Sequence, residues 1–301
     1  MSTVEALQLE TPLPLAGVPV STGRRRRRTL GAVLAEAQMT EVAAFEFAGG
    51  TAAVFSDRSP SKATPNEDSA ALWPTKNGGG ILAIADGLGG HAGGERASRL
   101  AIEILQKYVQ EALASPDDGQ SDSLRGAILN GIEAANQSVR ELGCGAATTL
   151  ALVEIQGRSI RPYHVGDSVI LLTGQRGKLK LQTIPHSPIG YAVEAGLMKE
   201  EEAIHHEERH VISNVIGAEQ MRIEMSAPVE MALRDTLVLA SDGLLDNLLP
   251  GEIVEIVRSG PLNVAVSDLV TEANRRMTSQ NGSAPSKPDD LTVIAYRPCL
   301  S

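Results

Sequence analysis

The segments of this chain that pattern as β-strands come in clusters, and those that pattern as helices come in pairs between the clusters. A hairpin is predicted around Gly49-Gly50. Apolar residues at helical spacing predict helices near 100–109 and 124–139, and a second pair covers roughly 250–280. Further strands are predicted between the two pairs and after the second. Because helices and strands do not alternate one for one, we expect an α+β layered sandwich with mostly antiparallel sheets rather than a doubly wound fold.

Composition argues against several classes of function. The 301 residues are 42% hydrophobic and 21% charged, which is ordinary for a soluble protein with a sizeable core. Aromatic residues make up only 3% and the formal net charge is −10, so binding to nucleic acids or anionic membranes is not expected. No apolar run approaches the roughly 18 residues of a membrane span, and no secretory leader is recognisable. Two cysteines, Cys144 and Cys299, cannot form a disulfide framework, so the sequence predicts a cytoplasmic protein.

The chain consists of two regions that differ in composition. Residues 1–41 contain the arginine block Arg24–Arg28 and several prolines that interrupt any periodicity, which is typical of a flexible tail. A short helix at Thr29–Met39 is compatible with the pattern but is too brief to be a domain. Residues 42–298 pattern as one globular domain.

Acidic residues stand at the edges of several predicted apolar strands. Asp86 and Asp242 each follow such a strand and precede a glycine. Asp167 lies between two strands, and Asp289 precedes the last one. Any single Asp-Gly pair is as well explained by a turn. Several carboxylates at one sheet edge, however, concentrate negative charge that cations must neutralise, and oxygen ligands of this type suit Mg²⁺ or Mn²⁺. The pattern therefore favours a metal site over turns alone.

A glycine-rich segment follows Asp86 and precedes a helix that starts near Glu95. Glycines let backbone groups approach a ligand or ion closely. A phosphate loop of the Walker type is excluded because Glu95 stands where its lysine would be. The pattern Gly87-x-Gly89-x-x-Ala92 fits a dinucleotide fingerprint only loosely, since Asp86 beside it would repel a pyrophosphate.

Several motifs, in one order along the chain, resemble those of a known family. The run Asp86–Ser98 resembles the signature of PP2C-type metal-dependent serine/threonine phosphatases (the PPM family) in its bacterial form. The other motifs are Asn66-Glu67-Asp68, Ala147-Thr148-Thr149, Gly166-Asp167-Ser168, Ser241-Asp242-Gly243-Leu244 and Asp289-Asp290-Leu291-Thr292. The resemblance covers roughly residues 42–297. It implies a four-layer αββα sandwich, in which helix pairs flank two central, mostly antiparallel sheets.

The resemblance also implies roles for individual residues. Asp86 would bridge two divalent ions, Mg²⁺ or Mn²⁺, and the Gly87 carbonyl would bind one of them. Asp242 and Asp289 would complete the binuclear site, and Asp167 would serve a third, weaker ion. The residues that would orient metal-bound waters are Glu67 and Asp68. The implied reaction is hydrolysis of phosphoserine and phosphothreonine by a metal-activated water, with Asp86, Asp242 and Asp289 as the catalytic carboxylates.

The sequence departs from the family pattern at two positions. Ala63 stands where many members carry an arginine that grips the substrate phosphate, and Lys62 and Arg58 are the candidate substitutes. Leu88 stands where eukaryotic members carry the histidine that protonates the leaving group, so His91 or a metal-bound water is the candidate for that acid. The departures leave a second interpretation open, a PP2C-fold module that binds phosphoproteins with little or no turnover. A third, a dinucleotide-dependent oxidoreductase, leaves the strand-end aspartates unexplained.

The polar segment at about 184–210 resembles the mobile flap of the family. His205, His206 and His210 lie in it, and we expect them to be solvated, because no cysteine or rigid helical spacing accompanies them as a zinc site would require. The family implies phosphorylated proteins as partners, among them a serine/threonine kinase and its substrates. It also implies a monomer.

Overall fold

The computed structural model describes residues 31–88, 93–114, 121–143, 145–279 and 285–299. Within these ranges the chain forms fourteen strands and seven α-helices. The strands are β1 (Ala32–Ala35), β2 (Ala43–Phe47), β3 (Gly50–Asp57), β4 (Asp68–Pro74), β5 (Gly80–Leu88), β6 (Ala147–Thr148), β7 (Leu150–Gln156), β8 (Ser159–Val165), β9 (Val169–Thr173), β10 (Leu179–Gln182), β11 (Glu224–Met225), β12 (Val229–Glu230), β13 (Thr236–Ala240) and β14 (Leu291–Pro298). The helices are α1 (Gly94–Ala114), α2 (Ser121–Glu141), α3 (Pro188–Glu194), α4 (Glu200–Ala203), α5 (Asp242–Leu245), α6 (Pro250–Val257) and α7 (Leu262–Thr278).

Two sheets organise these strands. In the first sheet the strand order is β1-β4-β5-β7-β8-β11, with the short strands β6 and β12 paired to β5 and β8. In the second sheet the order is β10-β9-β13-β14-β3-β2. Every pairing among the described strands is antiparallel. A dinucleotide-binding fold would need a parallel sheet, so the described strands rule out the oxidoreductase interpretation.

Alternation of side chains along the strands builds the layers. In β5, Leu82 and Ile84 pack between the two sheets, whereas Ile81 and Ala83 pack on the opposite face against α1 and α2. In β13 and β14 the same alternation places one row of side chains between the sheets and the other row against α6 and α7. Helices therefore cover the outer face of each sheet. The expected four-layer αββα sandwich of the α+β class is confirmed.

Helices α1 and α2 follow from their apolar spacing. Buried residues recur every four positions, at Ala101, Leu105 and Val109 in α1 and at Ile128 and Ile132 in α2. Each helix thus has one apolar side, which packs in the core against the first sheet. Full burial of one leucine or isoleucine side chain contributes about 1.5–3 kcal/mol. No helix in the described ranges is both long enough and apolar enough to cross a membrane.

The segment before residue 42 differs from its predicted structure. Ala32–Ala35 form β1, which pairs with β4 from Ala32↔Leu72 to Ala35↔Ser69, so the short helix considered for this stretch is wrong there. Pairing with β4 stabilises an extended backbone that four residues could not hold by themselves. The first sheet therefore begins at Ala32, ahead of the predicted domain boundary at 42. The arginine block Arg24–Arg28 lies outside the described residues.

Candidate metal centre

Strand-end carboxylates from both sheets lie close enough to raise one another's pKa values. Asp86 in β5 stands directly opposite Asp68, the first residue of β4. Directly opposed residues in an antiparallel pair place their side chains on the same face. Asp242 begins α5 immediately after β13 of the second sheet, and its negative charge raises the pKa of Asp86. The tertiary structure therefore brings together aspartates that are far apart in the sequence.

The backbone that carries Asp86 is fixed by the Ala147-Thr148-Thr149 motif. The Asp86 amide donates to Thr149 Oγ1 over 3.0 Å, and Thr148 Oγ1 donates to the Asp86 carbonyl over 2.8 Å. Thr149 Oγ1 also shares a 2.6 Å hydrogen bond with Ser168 Oγ, the residue after Asp167. The two threonines thus connect the segments of Asp86 and Asp167. This explains why small hydroxyl residues are needed at these positions.

Gly87 and Gly94 bring two backbone segments into close contact. A Cβ atom on Gly87 would collide with the Gly94 carbonyl and would lie 2.6 Å from the Glu67 carbonyl oxygen. A Cβ atom on Gly94 would lie 2.7 Å from the Gly87 carbonyl oxygen and 2.6 Å from Glu67 Oε1. No side chain fits at either position, so both must be glycine. The Gly87 carbonyl consequently lies in a crowded polar environment beside the Glu67 carboxylate.

Asp68 and Asp167 each hold a buried oxygen that has no hydrogen-bond partner among the described residues. Asp68 is 1% exposed, and its Oδ2 accepts a 2.7 Å hydrogen bond from Ser241 Oγ. Asp68 Oδ1 and Asp167 Oδ1 accept no hydrogen bond from the described residues. Burial, followed by the charge of Asp290, raises the pKa of Asp68 to about 7. Burial, followed by the charge of Asp246, raises the pKa of Asp167 to about 7.

The charged form of the Asp86 side chain is also strongly disfavoured. The residue is 9% exposed, and burial raises its pKa well above the ordinary value. The charges of Asp242, Asp68, Asp167 and, last, Asp289 add to the effect in that order. Burial likewise raises the pKa of Asp242, with Asp289 as the next cause. Such a cluster is stabilised by protonation or by cations.

On the second sheet, three carboxylates surround one ammonium group. Lys287 Nζ lies 2.6 Å from Asp246 Oδ2, 2.9 Å from Asp289 Oδ2 and 3.2 Å from Asp242 Oδ2. Ligand atoms of these three aspartates all lie within 4.8 Å of one another. Burial acts to lower the pKa of Lys287, but the three neighbouring charges outweigh it and raise that pKa.

Neither Asp246 nor Lys287 was found by sequence reasoning. Asp246 follows Asp242 by four residues, and its amide donates to the Asp242 carbonyl over 2.7 Å, so one helical turn brings the two side chains together. That spacing was a usable signal. Lys287 lies in a loop of flexible composition, and nothing in its local sequence predicts its contacts.

The residues considered for the substrate phosphate lie in the loop after β3. Lys62 Nζ pairs with Glu67 Oε2 at 2.7 Å and with Asp290 Oδ2 at 2.5 Å. Asp290, 4% exposed, also accepts hydrogen bonds from the amides of Ser59 and Glu67, each over 2.7 Å. Arg58 Nη1 donates to the Ala63 carbonyl of its own loop over 3.2 Å. Lys62 is therefore held by two carboxylates, whereas the Arg58 side chain is bonded within its own loop. His91, the candidate acid, lies outside the described residues.

A second group of possible metal ligands consists of His164, His186 and Glu224. His186 Nδ1 accepts hydrogen bonds from the Gly166 amide at 3.0 Å and from Asn214 Nδ2 at 2.8 Å. The proton of a neutral His186 therefore resides on Nε2, which donates to Glu224 over 2.9 Å. Binding a metal through Nε2 would force a proton onto Nδ1, against two donors. His186, Asn214 and Glu224 therefore form a hydrogen-bonded network that holds the loop before Asp167.

The aspartates described above form an acidic cluster, which consists of Asp68, Asp86, Asp167, Asp242, Asp246 and Asp289. A cavity of about 320 Å³ adjoins this acidic cluster. Asp167, Asp242 and Asp246 line one part of it, and apolar residues of the predicted flap segment, such as Ile189 and Ile204, line another. Helices α3 and α4 belong to that segment. The cavity therefore connects the carboxylates to the surface formed by the segment 184–210.

The residues of the cluster fit divalent cations. The donors are carboxylate and carbonyl oxygens, the ligands that Mg²⁺ and Mn²⁺ prefer. Asp68 Oδ1 and Asp167 Oδ1 are buried without a partner among the described residues, and the pKa of Asp86 is raised mainly by burial. The fold and this donor set together define a class, a four-layer αββα protein with a candidate divalent-cation centre between its sheets.

Comparison with known proteins identifies the family within that class. The family model Protein phosphatase 2C matches residues 58–280, well over half of the chain. A putative protein phosphatase 2C-type of Streptococcus pyogenes serotype M6 is 32% identical over 211 residues, which cover 66% of this chain and 80% of that protein. The chain belongs to the Protein phosphatase 2C family, as the motifs indicated, and with it to the protein serine/threonine phosphatases.

Solved structures agree with this assignment. The S. agalactiae serine/threonine phosphatase is 29% identical, with a TM-score of 0.69 over 82% of this chain and 98% of that one. The catalytic domain of the serine threonine protein phosphatase PstP, in complex with two manganese ions, is 27% identical, with a TM-score of 0.62 over 82% of this chain and 96% of that one. These likenesses support the metal dependence that the motifs imply.

Proposed function

We propose that this chain hydrolyses phosphoserine and phosphothreonine in proteins, with Mg²⁺ or Mn²⁺ bound in the acidic cluster. The observation that carries the proposal is the cluster itself. Carboxylates from both sheets, several of them buried, meet beside a cavity in a chain of the Protein phosphatase 2C family. Such a concentration of negative charge would be costly in a protein that never bound cations.

Two cations would be held by Asp86, Asp242, Asp289 and the Gly87 carbonyl, and a third, weaker one by Asp167. Cations bound there would supply the positive charge that lowers the pKa of a water and stabilises the phosphoryl oxygens. The outer carboxylates that would orient bound waters are Glu67 and Asp68.

The remaining roles fall to residues near the cluster. Lys62 would attract the substrate phosphate as a point charge, with its position set by Glu67 and Asp290. Arg58, in the same loop, is the second candidate for this role. His91 is our candidate for the proton donor to the leaving group. The protein chain of the substrate would lie in the cavity beside the segment 184–210.

The substrate side of the proposal concerns partners and location. We propose that the substrates are proteins phosphorylated by a serine/threonine kinase, and that the enzyme acts as a cytoplasmic monomer. The net charge of −10 supports protein substrates over nucleic acids.

Phosphate release from phosphopeptides tests the function. The full chain with Mn²⁺ should release phosphate from phosphoserine and phosphothreonine peptides, and excess EDTA should abolish the release. Asp268→Asn, which removes an exposed carboxylate on α7, serves as the control and should behave as wild type. If the protein bound Mn²⁺ tightly in calorimetry yet released no phosphate from any phosphopeptide or aryl phosphate, the chain would be a binding module and the proposal would be wrong.

A further inference from the structure

Lys287 is the residue for which the family motifs provide no role. Its ammonium group contacts three carboxylates, those of Asp246, Asp289 and Asp242, at 2.6, 2.9 and 3.2 Å. A lysine ammonium is a compact charge with three donors, so it can satisfy three carboxylates at once. Two of the three, Asp242 and Asp289, are residues to which we assign a divalent cation.

The position of Lys287 is fixed by the fold and does not depend on the ion pairs alone. The Lys287 amide donates to Asn247 Oδ1 over 3.0 Å, and Asn247 Nδ2 donates to the Lys287 carbonyl over 2.9 Å. Asn247 is fully buried, and its Nδ2 also donates to the Gly243 carbonyl next to Asp242. The next residue, Pro288, further restricts the backbone. The side chain therefore starts from an anchored backbone only two residues before Asp289.

An ammonium group at these distances repels a divalent cation that approaches the same carboxylate oxygens, and it uses lone pairs that the cation could otherwise bind. Lys287 contacts the Oδ2 atoms of Asp242 and Asp289, so the lysine and a divalent cation would share ligand atoms. The lysine also offsets the mutual repulsion of the carboxylates before an ion arrives. A metal ion that displaces the lysine removes this attraction, so the net free energy of metal binding is less favourable.

We propose that Lys287 competes with the divalent cation for Asp242 and Asp289, and that it thereby sets the metal concentration at which these two residues bind the cation. The inference rests on the metal centre proposed above, but its test measures metal affinity and not turnover. An ammonium bound through one charge yields to an ion of two charges, so the lysine weakens metal binding without preventing it. The site is consequently half-filled at a higher concentration of metal than it would be without the lysine.

Calorimetric titration of Mn²⁺ into the full-length protein tests the proposal. Lys287→Met removes the charge and keeps a long apolar side chain, and it should bind Mn²⁺ about tenfold more tightly than wild type, which is about 1.4 kcal/mol. Lys287→Arg keeps a cation near the carboxylates and should remain within about twofold of wild type. Lys107→Met makes the same charge change at an exposed position of α1, thirteen residues after its start, which is roughly 20 Å along the helix axis. It should leave the affinity unchanged.

Thermal unfolding separates competition from a merely structural role. In EDTA, Lys287→Met should unfold at a lower temperature than wild type, because its three carboxylates lose their cation. With saturating Mn²⁺ the gain in melting temperature should be larger than in wild type, since tighter binding stabilises the folded state more. An equal or weaker Mn²⁺ affinity in Lys287→Met, or the same loss of stability with and without metal, would overturn the proposal. Tighter Mn²⁺ binding without phosphatase activity in any variant would support the competitor and contradict the proposed function instead.

Discussion

The carboxylates on the two sheets of this protein tolerate their shared negative charge in different ways. On the first sheet, no lysine or arginine of the described chain forms an ion pair with Asp68 or Asp86, and burial raises the pKa of each. On the second sheet, three carboxylates share one lysine. These are Asp242, Asp246 and Asp289, around Lys287.

The difference indicates how each half responds to a metal ion. On the first sheet an ion would meet acidic groups whose pKa values are raised, and it would displace protons. On the second sheet, where burial also raises the pKa of Asp242, an ion would in addition displace an ammonium group that belongs to the protein. Both halves therefore oppose metal binding in a way that depends on pH, but the second half adds an opposition that a single substitution can remove. The following predictions, from the largest expected effect to the smallest, examine this contrast.

Asp86→Asn should have the largest effect on activity. It removes the one carboxylate expected to contact two ions, so turnover should fall by about 1000-fold or more, which corresponds to about 4 kcal/mol of transition-state stabilisation. In EDTA the variant should be as stable as wild type or more so, because a buried charge is lost from a repulsive cluster. Asp242→Asn should also lose most activity. Asp246→Asn should be less stable than wild type in EDTA, since Lys287 loses its nearest partner, at 2.6 Å. Phosphopeptide assays and melting curves in EDTA measure both quantities.

If Asp86→Asn and Asp246→Asn changed the melting temperature in EDTA in the same direction, the contrast between the two sheets would not hold. In that case Lys287 would contribute nothing to the stability of the carboxylates on the second sheet. Near-normal turnover in Asp86→Asn would instead show that the assignment of this residue as the bridging ligand is incorrect. Asp268→Asn on α7 controls for the loss of one negative charge.

Asp167→Asn should have a moderate effect. Its carboxylate is assigned only to a third, weaker ion, so two tight Mn²⁺ sites should persist in calorimetry while turnover falls by about tenfold. Loss of a tight site in this variant would mean that Asp167 belongs to the binuclear core.

The metal-free protein should lose stability as the pH rises from about 4 to about 7. Burial raises the pKa of Asp68 and of Asp167 to about 7 in the folded state, so over this interval the folded protein binds more protons than the unfolded chain. Stability then falls with increasing pH, by at most about 1.4 kcal/mol per pH unit for each group. Urea unfolding in EDTA at several pH values measures the slope, and Asp68→Asn should reduce it. A stability that rose through this interval would show that Asp68 and Asp167 are ionised in the folded protein.

Much of the site could be predicted from sequence because its residues stand in contiguous motifs at strand ends. Asp86 follows a run of apolar residues, and an aspartate in that position is recognisable from pattern alone. Lys287 could not be predicted, because its role depends on Asn247, which anchors it from across the chain, forty residues earlier in sequence. The strand β1 was missed for the same kind of reason, since its partner β4 follows only after β2 and β3 in the sequence.

The sequence by itself indicated the α+β class, the paired helices and the oxygen-ligand type of the candidate centre, because apolar periodicity and the side chain at each strand end are local properties. The four-layer order was implied by the family resemblance. Only the tertiary structure decided which carboxylates of the described chain lack an ion-pair partner and which share Lys287. That distribution depends on distances between segments of different sheets, and on how deeply each group is buried when the sheets pack. Burial raised the pKa values of Asp68 and Asp86 on the first sheet and of Asp242 on the second, where a lysine held by a buried asparagine lies among the carboxylates.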